Sequence, residues 1–488
     1  MKKTLAFLFM CYWGIAAAMA AAPLAHYYGK VTADDGTPIA NVPVTDGTEI
    51  VLTSDKGTYA LNSNTARYIY LTLPDGYEVP TRGGLPTLYR KVPRDAKGKV
   101  RMDFVLKRSK RDNRKHVMIA WADPQIYFDE EIPQLREAAL DVKRLLETDY
   151  RGVPAYGVVC GDIIGEMQKA KEARYYPRII DTIGETGIPF FYVMGNHDMD
   201  LGGRSNETAD STFTSYFGPT WYSFNRGEVH YVVLYDVFYI AKDWLYIGYL
   251  TERQLAWLEQ DLKQVPEGRT VVVNMHIPSF SREARKQEWN KEDAGKIVNN
   301  RRHLYKLLKP YNTHIFAGHE HYNENYLIDE NLYEHVHAAV SNLFWQAPWG
   351  MDGVPGGYAV YEFDGGKVSW YFKCLGKDRD YQFKLYPPGS SDSHKESIIA
   401  NVWNYDPTWK VRWFENGVPR GEMTRYTGYD PDIAHYADLH GKSFKHSFIG
   451  AAPTEHLFRA VPQTTDGEIR VEVTDRFGRV YTQILPPR

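Results

Sequence analysis

Five short polar clusters in this chain carry side chains able to bind metal ions, and each follows an apolar run. Asp123-Pro124-Gln125 follows Val117-Met118-Ile119-Ala120, and Gly161-Asp162 follows Tyr156-Gly157-Val158-Val159-Cys160. Gly195-Asn196-His197-Asp198 follows Pro189-Phe190-Phe191-Tyr192-Val193. His276 lies shortly after Val271-Val272-Val273, and Gly318-His319-Glu320-His321 follows His314-Ile315-Phe316-Ala317. Carboxylates, amide oxygens and imidazoles are ligands for Mn²⁺, Fe, Zn²⁺ and Mg²⁺. Singly, each cluster says little. Gly-Asp is often a turn, and a lone histidine is more often a satisfied core or surface residue. His-x-His on an extended segment puts both rings on one face. Together they mean more, because functional groups in α/β sheets collect at the carboxyl ends of strands. Five such clusters in that position predict a metal site.

The apolar runs are strand candidates, and Val232-Val233-Leu234-Tyr235 is a further one. Between them lie helical stretches. In residues 131–148, Leu135, Ala138, Ala139, Val142, Leu145 and Leu146 share one helical face. Helices are also predicted near 252–264 and 294–309. Strand and helix alternation over residues 115–380 predicts an α/β domain. Two regions differ in texture. Residues 27–110 contain short strands separated by Asp35-Gly36 and Asp55-Lys56-Gly57 turns, which predicts a β-sandwich. It resembles the transthyretin-like or carboxypeptidase-regulatory sandwich. In residues 390–488, Trp409, Val411 and Trp413 alternate with Lys410 and Arg412 before an Asn416-Gly417 turn. Ile469, Val471 and Val473 alternate likewise, so a second β domain is expected.

The ordered clusters resemble the calcineurin-like metallophosphoesterase superfamily across about residues 115–375. Tyr222-Ser223-Phe224, His230-Tyr231, and Leu250-Thr251 with Gln254, Trp257 and Leu258 fit the same resemblance. It implies an α/β/β/α sandwich core flanked by two small all-β sandwich domains. It also implies a ligand set. Asp123, Gln125, Asp162 and His321 would hold one divalent ion, and Asp162, Asn196, His276 and His319 the other. Asp162 would bridge, His197 would act as general acid toward the leaving group, and Asp198 would orient His197. The implied reaction is phosphate-ester hydrolysis by a metal-bridging hydroxide, with the phosphoryl oxygens clamped between two ions. Two divalent ions bring four positive charges; Asp123, Asp162 and a hydroxide bring three negative ones, leaving one to attract phosphate. Many members carry Asp-x-His where this chain has Asp123-Pro124-Gln125. An amide oxygen there leans toward Mn²⁺, Fe or Mg²⁺ over Zn²⁺, so manganese is favoured. Gly165 stands where purple acid phosphatases place a tyrosine. The Gly-Asp-x-Val-Asp-Arg-Gly run of the serine/threonine phosphatases is also absent.

A net charge of −3 gives no footprint for nucleic acid. The substrate expected is a phosphorylated small molecule, lipid or peptide. Phe344 to Gly350 and Phe238 to Tyr249 are aromatic stretches that either wall its pocket or pack between domains. Lys2-Lys3, an apolar run and Ala18-Met19-Ala20 read as a signal peptide over residues 1–22. Export to the periplasm or cell surface is expected, with no transmembrane segment after cleavage. Cys160 and Cys374 are read as buried thiols. A phosphomonoesterase is the favoured activity. A phosphodiesterase would use the same site, and a surface binding protein with a vestigial site is the remaining class.

Overall fold

The computed structural model describes residues 25–93, 96–165, 172–202, 205–240, 246–282 and 293–487. The expected signal peptide lies outside the described residues. Two mixed sheets form the centre. The first runs in the order Phe190–Tyr192, Ala155–Val159, Lys115–Trp121, Gly357–Asp364, Lys367–Cys374. Its first three strands are parallel, and the last two continue it antiparallel. The second runs Tyr222–Arg226, Val229–Val233, Thr270–Asn274, Asn312–Ala317, Leu332–Val336, Glu324–Asp329. Its four inner strands are parallel, with an antiparallel strand at each edge.

The two-residue period of a strand explains the layering. Met118, Ala120 and Ala122 face inward with Val158, Phe191, Phe224, Val272 and Phe316, forming the core between the sheets. There Phe191 stacks on Phe224 at 3.7 Å and Phe316 on Tyr361 at 4.0 Å. Val117, Ile119 and Trp121 face outward onto Leu135, Ala138 and Val142 of the helix Ile132–Thr148. Val271 and Val273 belong to the same outer core as Trp257 and Leu258 of the helix Glu252–Leu262. The layers are therefore α/β/β/α, and burial on both faces is why these strands read as unbroken apolar runs. Leu146 is half-buried at the edge of its helical face. The helix expected from 294 begins only at Arg301. Asn299 Nδ2 instead donates to the carbonyls of Gly248 and Ala294, holding the preceding residues as a loop.

Residues at each end of the chain form paired four-stranded sheets. The first pair is built on Ala25–Ala33 and Tyr68–Leu71. Its core runs on into the inter-sheet core through Leu71, Leu73 and Phe224. Arg67 pairs with buried Asp210, Thr72 Oγ1 hydrogen-bonds Ser223 Oγ at 2.8 Å, and buried Arg226 donates to the Tyr77 carbonyl at 3.0 Å. The second pair is built on Ile398–Val402 and Lys410–Glu415. Trp409, Val411, Trp413, Ile469, Val471 and Val473 fill its core, and Asn416 and Gly417 turn the hairpin at φ 51° and 78°. A helix, Pro431–His440, and the loop after it leave this module and reach back to the centre. Cys160 and Cys374 are buried and free. Among the described residues no helix is long and apolar enough to cross a membrane.

Candidate metal centre

All five clusters meet at the carboxyl ends of the parallel strands. Asp123 and Gln125 follow Lys115–Trp121, Asp162 follows Ala155–Val159, and Asn196 follows Phe190–Tyr192. These four come from one sheet. His276 follows Thr270–Asn274, and His319 and His321 follow Asn312–Ala317, in the other. The seven residues form one connected group, the Asp123–His321 pair joining the rest through the backbone N–H of His319, which donates to the Asp123 carboxylate. His321 Nε2 lies 3.6 Å from Asp123 Oδ1, and Gln125 Nε2 lies 3.1 Å from Asp162 Oδ2. Asp162 Oδ1 lies 3.3 Å from His276 Nε2. His276 Nε2 is also 2.9 Å from Asn196 Oδ1 and 3.2 Å from His319 Nδ1. Asp162, His276 and His319 offer ligand atoms that all lie within 4.8 Å of one another.

The backbone is held in unfavourable conformations to achieve this. Asp123, Gln125, Asp162, His319 and His321 all have positive φ, between 38° and 72°. Such residues cost roughly 1–3 kcal/mol each and cluster where function requires them. A covering loop supplies some of the restraint. Ser341 Oγ donates to the Asp123 carbonyl at 2.7 Å, and Trp345 Nε1 to the Pro124 carbonyl at 2.8 Å. Gly195 has to be glycine, because a Cβ there would sit 2.1 Å from Asp162 Oδ1.

The donors fit a cation. Asp162 Oδ1, Asn196 Oδ1 and His319 Nδ1 converge on the same ring nitrogen of His276. The other nitrogen, Nδ1, faces the Cys160 carbonyl at 2.8 Å. A carbonyl only accepts, so Nδ1 carries a proton, and Nε2 offers its lone pair to an ion when the ring is neutral. Around a neutral ring, lone pairs gathered at this point repel unless a cation or a proton stands among them. Burial alone would push His276 down, but before an ion binds Asp162 outweighs it and raises the imidazole to about 10, so a proton on Nε2 takes the place a cation would fill. Burial would raise Asp162, but His276, His197 and His319 hold it below the usual carboxylate range. Burial drives Asp123 well above that range, against the pull of His276. Gln125 Oε1 and His321 Nδ1 are buried with no hydrogen-bond partner. An unpaired buried amide oxygen is costly, and a divalent ion satisfies it.

His197 stands apart from this group. Its backbone N–H donates to Asp162 Oδ1 at 2.8 Å, and its Nε2 lies 3.9 Å from Asp162 Oδ2. Its side chain is 31% exposed, whereas Asp162 is at 2% and His276 at 0%. The expectation that Asp198 orients this ring is corrected. The Asp198 carboxylate accepts from the N–H groups of Gly195 at 2.9 Å and Ile163 at 3.2 Å, and from Tyr176 Oη at 2.9 Å. It ties the Asp162 loop to the Asn196 loop, and burial followed by the Asp162 charge raises it to about 6. The partner of His197 Nδ1 is the Gly165 carbonyl.

Asp236 is a residue that the sequence reasoning passed over. It is fully buried and accepts from the N–H groups of His276 at 3.2 Å and Ile277 at 2.9 Å, fixing the loop that carries His276. Burial pushes it up to about 7. Its signal was available, since it follows the strand Val229–Val233 as the other clusters follow theirs. The aromatic stretches divide. Trp345 is buried as packing, and Trp349 packs on Tyr436 of the C-terminal module at 5.9 Å. Phe344 stacks on His321 at 4.7 Å, and Tyr246 meets His319 edge-on at 6.1 Å.

Three family models match the chain. The model described as calcineurin-like phosphoesterase covers residues 136–323. The N terminal of calcineurin-like phosphoesterase covers 25–109, and the C terminal of calcineurin-like phosphoesterase covers 334–481. No curated protein matches. Among solved structures, the chain is similar to a dimetal phosphatase from Danio rerio at 15% identity, over 54% of this chain and 97% of that one, with a TM-score of 0.39. It is similar to a purple acid phosphatase from yellow lupin, Lupinus luteus, at 12% identity over 68% and 67%, with a TM-score of 0.37. A 5'-nucleotidase from Candida albicans is similar at 10% identity over 54% and 52%, with a TM-score of 0.33.

Proposed function

The chain belongs to the calcineurin-like phosphoesterases and is a metal-dependent phosphoester hydrolase; from that premise we propose that it is a phosphomonoesterase. We assign Asp123, Gln125, Asp162 and His321 to one divalent ion, and Asp162, Asn196, His276 and His319 to the other. Manganese is favoured because Gln125 contributes an oxygen where a second imidazole would suit zinc. When bound, the two ions supply an activated water and withdraw charge from the phosphoryl oxygens.

The protein's own groups do the rest. The Gly165 carbonyl holds a proton on His197 Nδ1, so Nε2 is the atom turned toward substrate. With a proton there as well, His197 donates to the departing alcohol oxygen. The Cys160 carbonyl fixes the tautomer of His276, and Asp236 and Asp198 fix the loops on either side. The observation that carries the monoester reading is the exposure of His197 beside its buried neighbours. Rings stand against His319 and His321 and Tyr127 stands edge-on to His197, so the approach past His197 is flanked by rings. One such approach suits one ester substituent. The Lys2-Lys3 leader and its Ala18-Met19-Ala20 site support action outside the cytoplasm.

Manganese-loaded protein is expected to hydrolyse an aryl phosphate monoester at least tenfold faster, by kcat/KM, than the matching diester. A chelator should abolish both activities. A reversed preference would make the protein a phosphodiesterase. Hydrolysis of neither ester would favour a binding protein with a vestigial site.

A further inference from the structure

The loop that follows the C-terminal module's helix ends beside the catalytic centre. Tyr127 packs edge-on to His197, with ring centroids 6.4 Å apart, and lies 4.6 Å from His446. Phe344, stacked on His321, lies 5.8 Å from His446 and 5.4 Å from Phe448. His446 and Phe448 are 5.3 Å apart and inclined by only 29°. Phe128 continues the row 6.4 Å beyond His446. The rings thus run without a break from the proton donor and one candidate ligand out to solvent. The outer rings are not core. Phe448 is 64% exposed and Phe128 36%.

The row is held in place. Lys445 lies over the Phe128 ring at 4.3 Å and pairs with Glu130 at 2.9 Å, while its backbone N–H donates to Gln346 Oε1 at 2.6 Å. Tyr436 Oη donates to the Gln346 carbonyl at 3.0 Å. Gly165 makes room for it: a Cβ at that position would lie 2.3 Å from the Tyr127 ring. The same glycine supplies the carbonyl that holds His197. Gly165 therefore touches both the proton donor and the innermost ring of the wall.

We infer that the C-terminal module builds the leaving-group subsite, and that this subsite takes phosphate monoesters whose alcohol carries an aromatic ring next to the ester oxygen. The inference rests on the monoester reading above and names its substrate class. Exposed rings of this kind offer stacked and edge-on contacts to a planar group. An alkyl alcohol without a ring gains little from them. The wall lies on the side of His197, where the alcohol departs.

Benzyl and ethyl phosphate test this, since both release an alkyl alcohol and differ mainly in the ring. The manganese-loaded protein should prefer benzyl phosphate by about tenfold or more in kcat/KM. Benzylphosphonate, which cannot be hydrolysed, should bind correspondingly tighter than ethylphosphonate. Phe448→Ala and His446→Ala should each erode both preferences, while Leu439→Ala, exposed on the same module and outside these ring contacts, should keep them. Equal turnover and equal binding in the parent would overturn the inference, as would preferences unchanged in both ring variants. If neither ester is hydrolysed yet benzylphosphonate binds tighter through Phe448, the subsite stands and the monoester reading fails.

Discussion

Replacing Asp162 with asparagine is expected to lower kcat/KM by about 10³-fold or more, on the scale of removing a central member of a catalytic unit. The two carboxylate oxygens of Asp162 face different partners. Oδ1 meets His276 and the N–H of His197, while Oδ2 meets Gln125. Asparagine preserves the shape but presents only one oxygen and no charge. It cannot serve both ion positions. Melting curves separate this from misfolding. Asp162 is a buried carboxylate whose desolvation is outweighed by His276, His197 and His319, so its neutralisation lowers the stability of the metal-free protein. The metal-free variant should melt below the parent but still in one cooperative step, and the rise in melting temperature on adding manganese should shrink. A variant that retains the metal-induced rise and most of its activity would remove Asp162 from the bridging role.

His197→Gln is expected to cost about 10²- to 10⁴-fold in kcat on an alkyl phosphate, the usual contribution of a positioned proton donor. On 4-nitrophenyl phosphate the loss should be much smaller, because that leaving group departs without a proton. The imidazole is half-buried, and Nε2 is too far from Asp162, at 3.9 Å, for a hydrogen bond. It is therefore free to turn to substrate. Manganese content should be the same as in the parent, since His197 is outside the ligand group. Equal losses on both esters, read from kcat, would make His197 a phosphate-binding residue instead of an acid.

Much of the core was legible in the sequence, for a physical reason. Strands buried on both faces leave unbroken apolar runs, so Val117 to Ala120, Tyr156 to Cys160 and Val271 to Val273 were visible with the polar groups that end them. Asp236 obeys the same rule, but a single aspartate after a strand is too common a feature to stand out. Asp198 illustrates a different limit. Adjacency in sequence suggested that it holds His197, yet in the short turn Asn196–Asp198 the carboxylate points back to Gly195, Ile163 and Tyr176. The carbonyl that does hold His197 belongs to Gly165, on another loop. Backbone carbonyls carry no signature in a sequence. The aromatic wall was legible only at Phe344, for a related reason. Tyr127, Phe344 and Phe448 lie in three segments far apart along the chain; the catalytic domain brings the first two together and the return of the C-terminal module adds the third.

Gln125 shows how composition and geometry combine. Its residue type suggested an oxygen-rich first site, and its Oε1 is buried without a hydrogen-bond partner. The strained backbone at φ 38° puts it there. Gln125 is one of the seven side chains assigned to two divalent ions. The metal content of purified protein, stripped with chelator, reloaded with manganese and dialysed, tests that assignment most directly. Elemental analysis should return two manganese ions per chain. A value of one or none, in protein that is folded by its melting curve, would contradict the account.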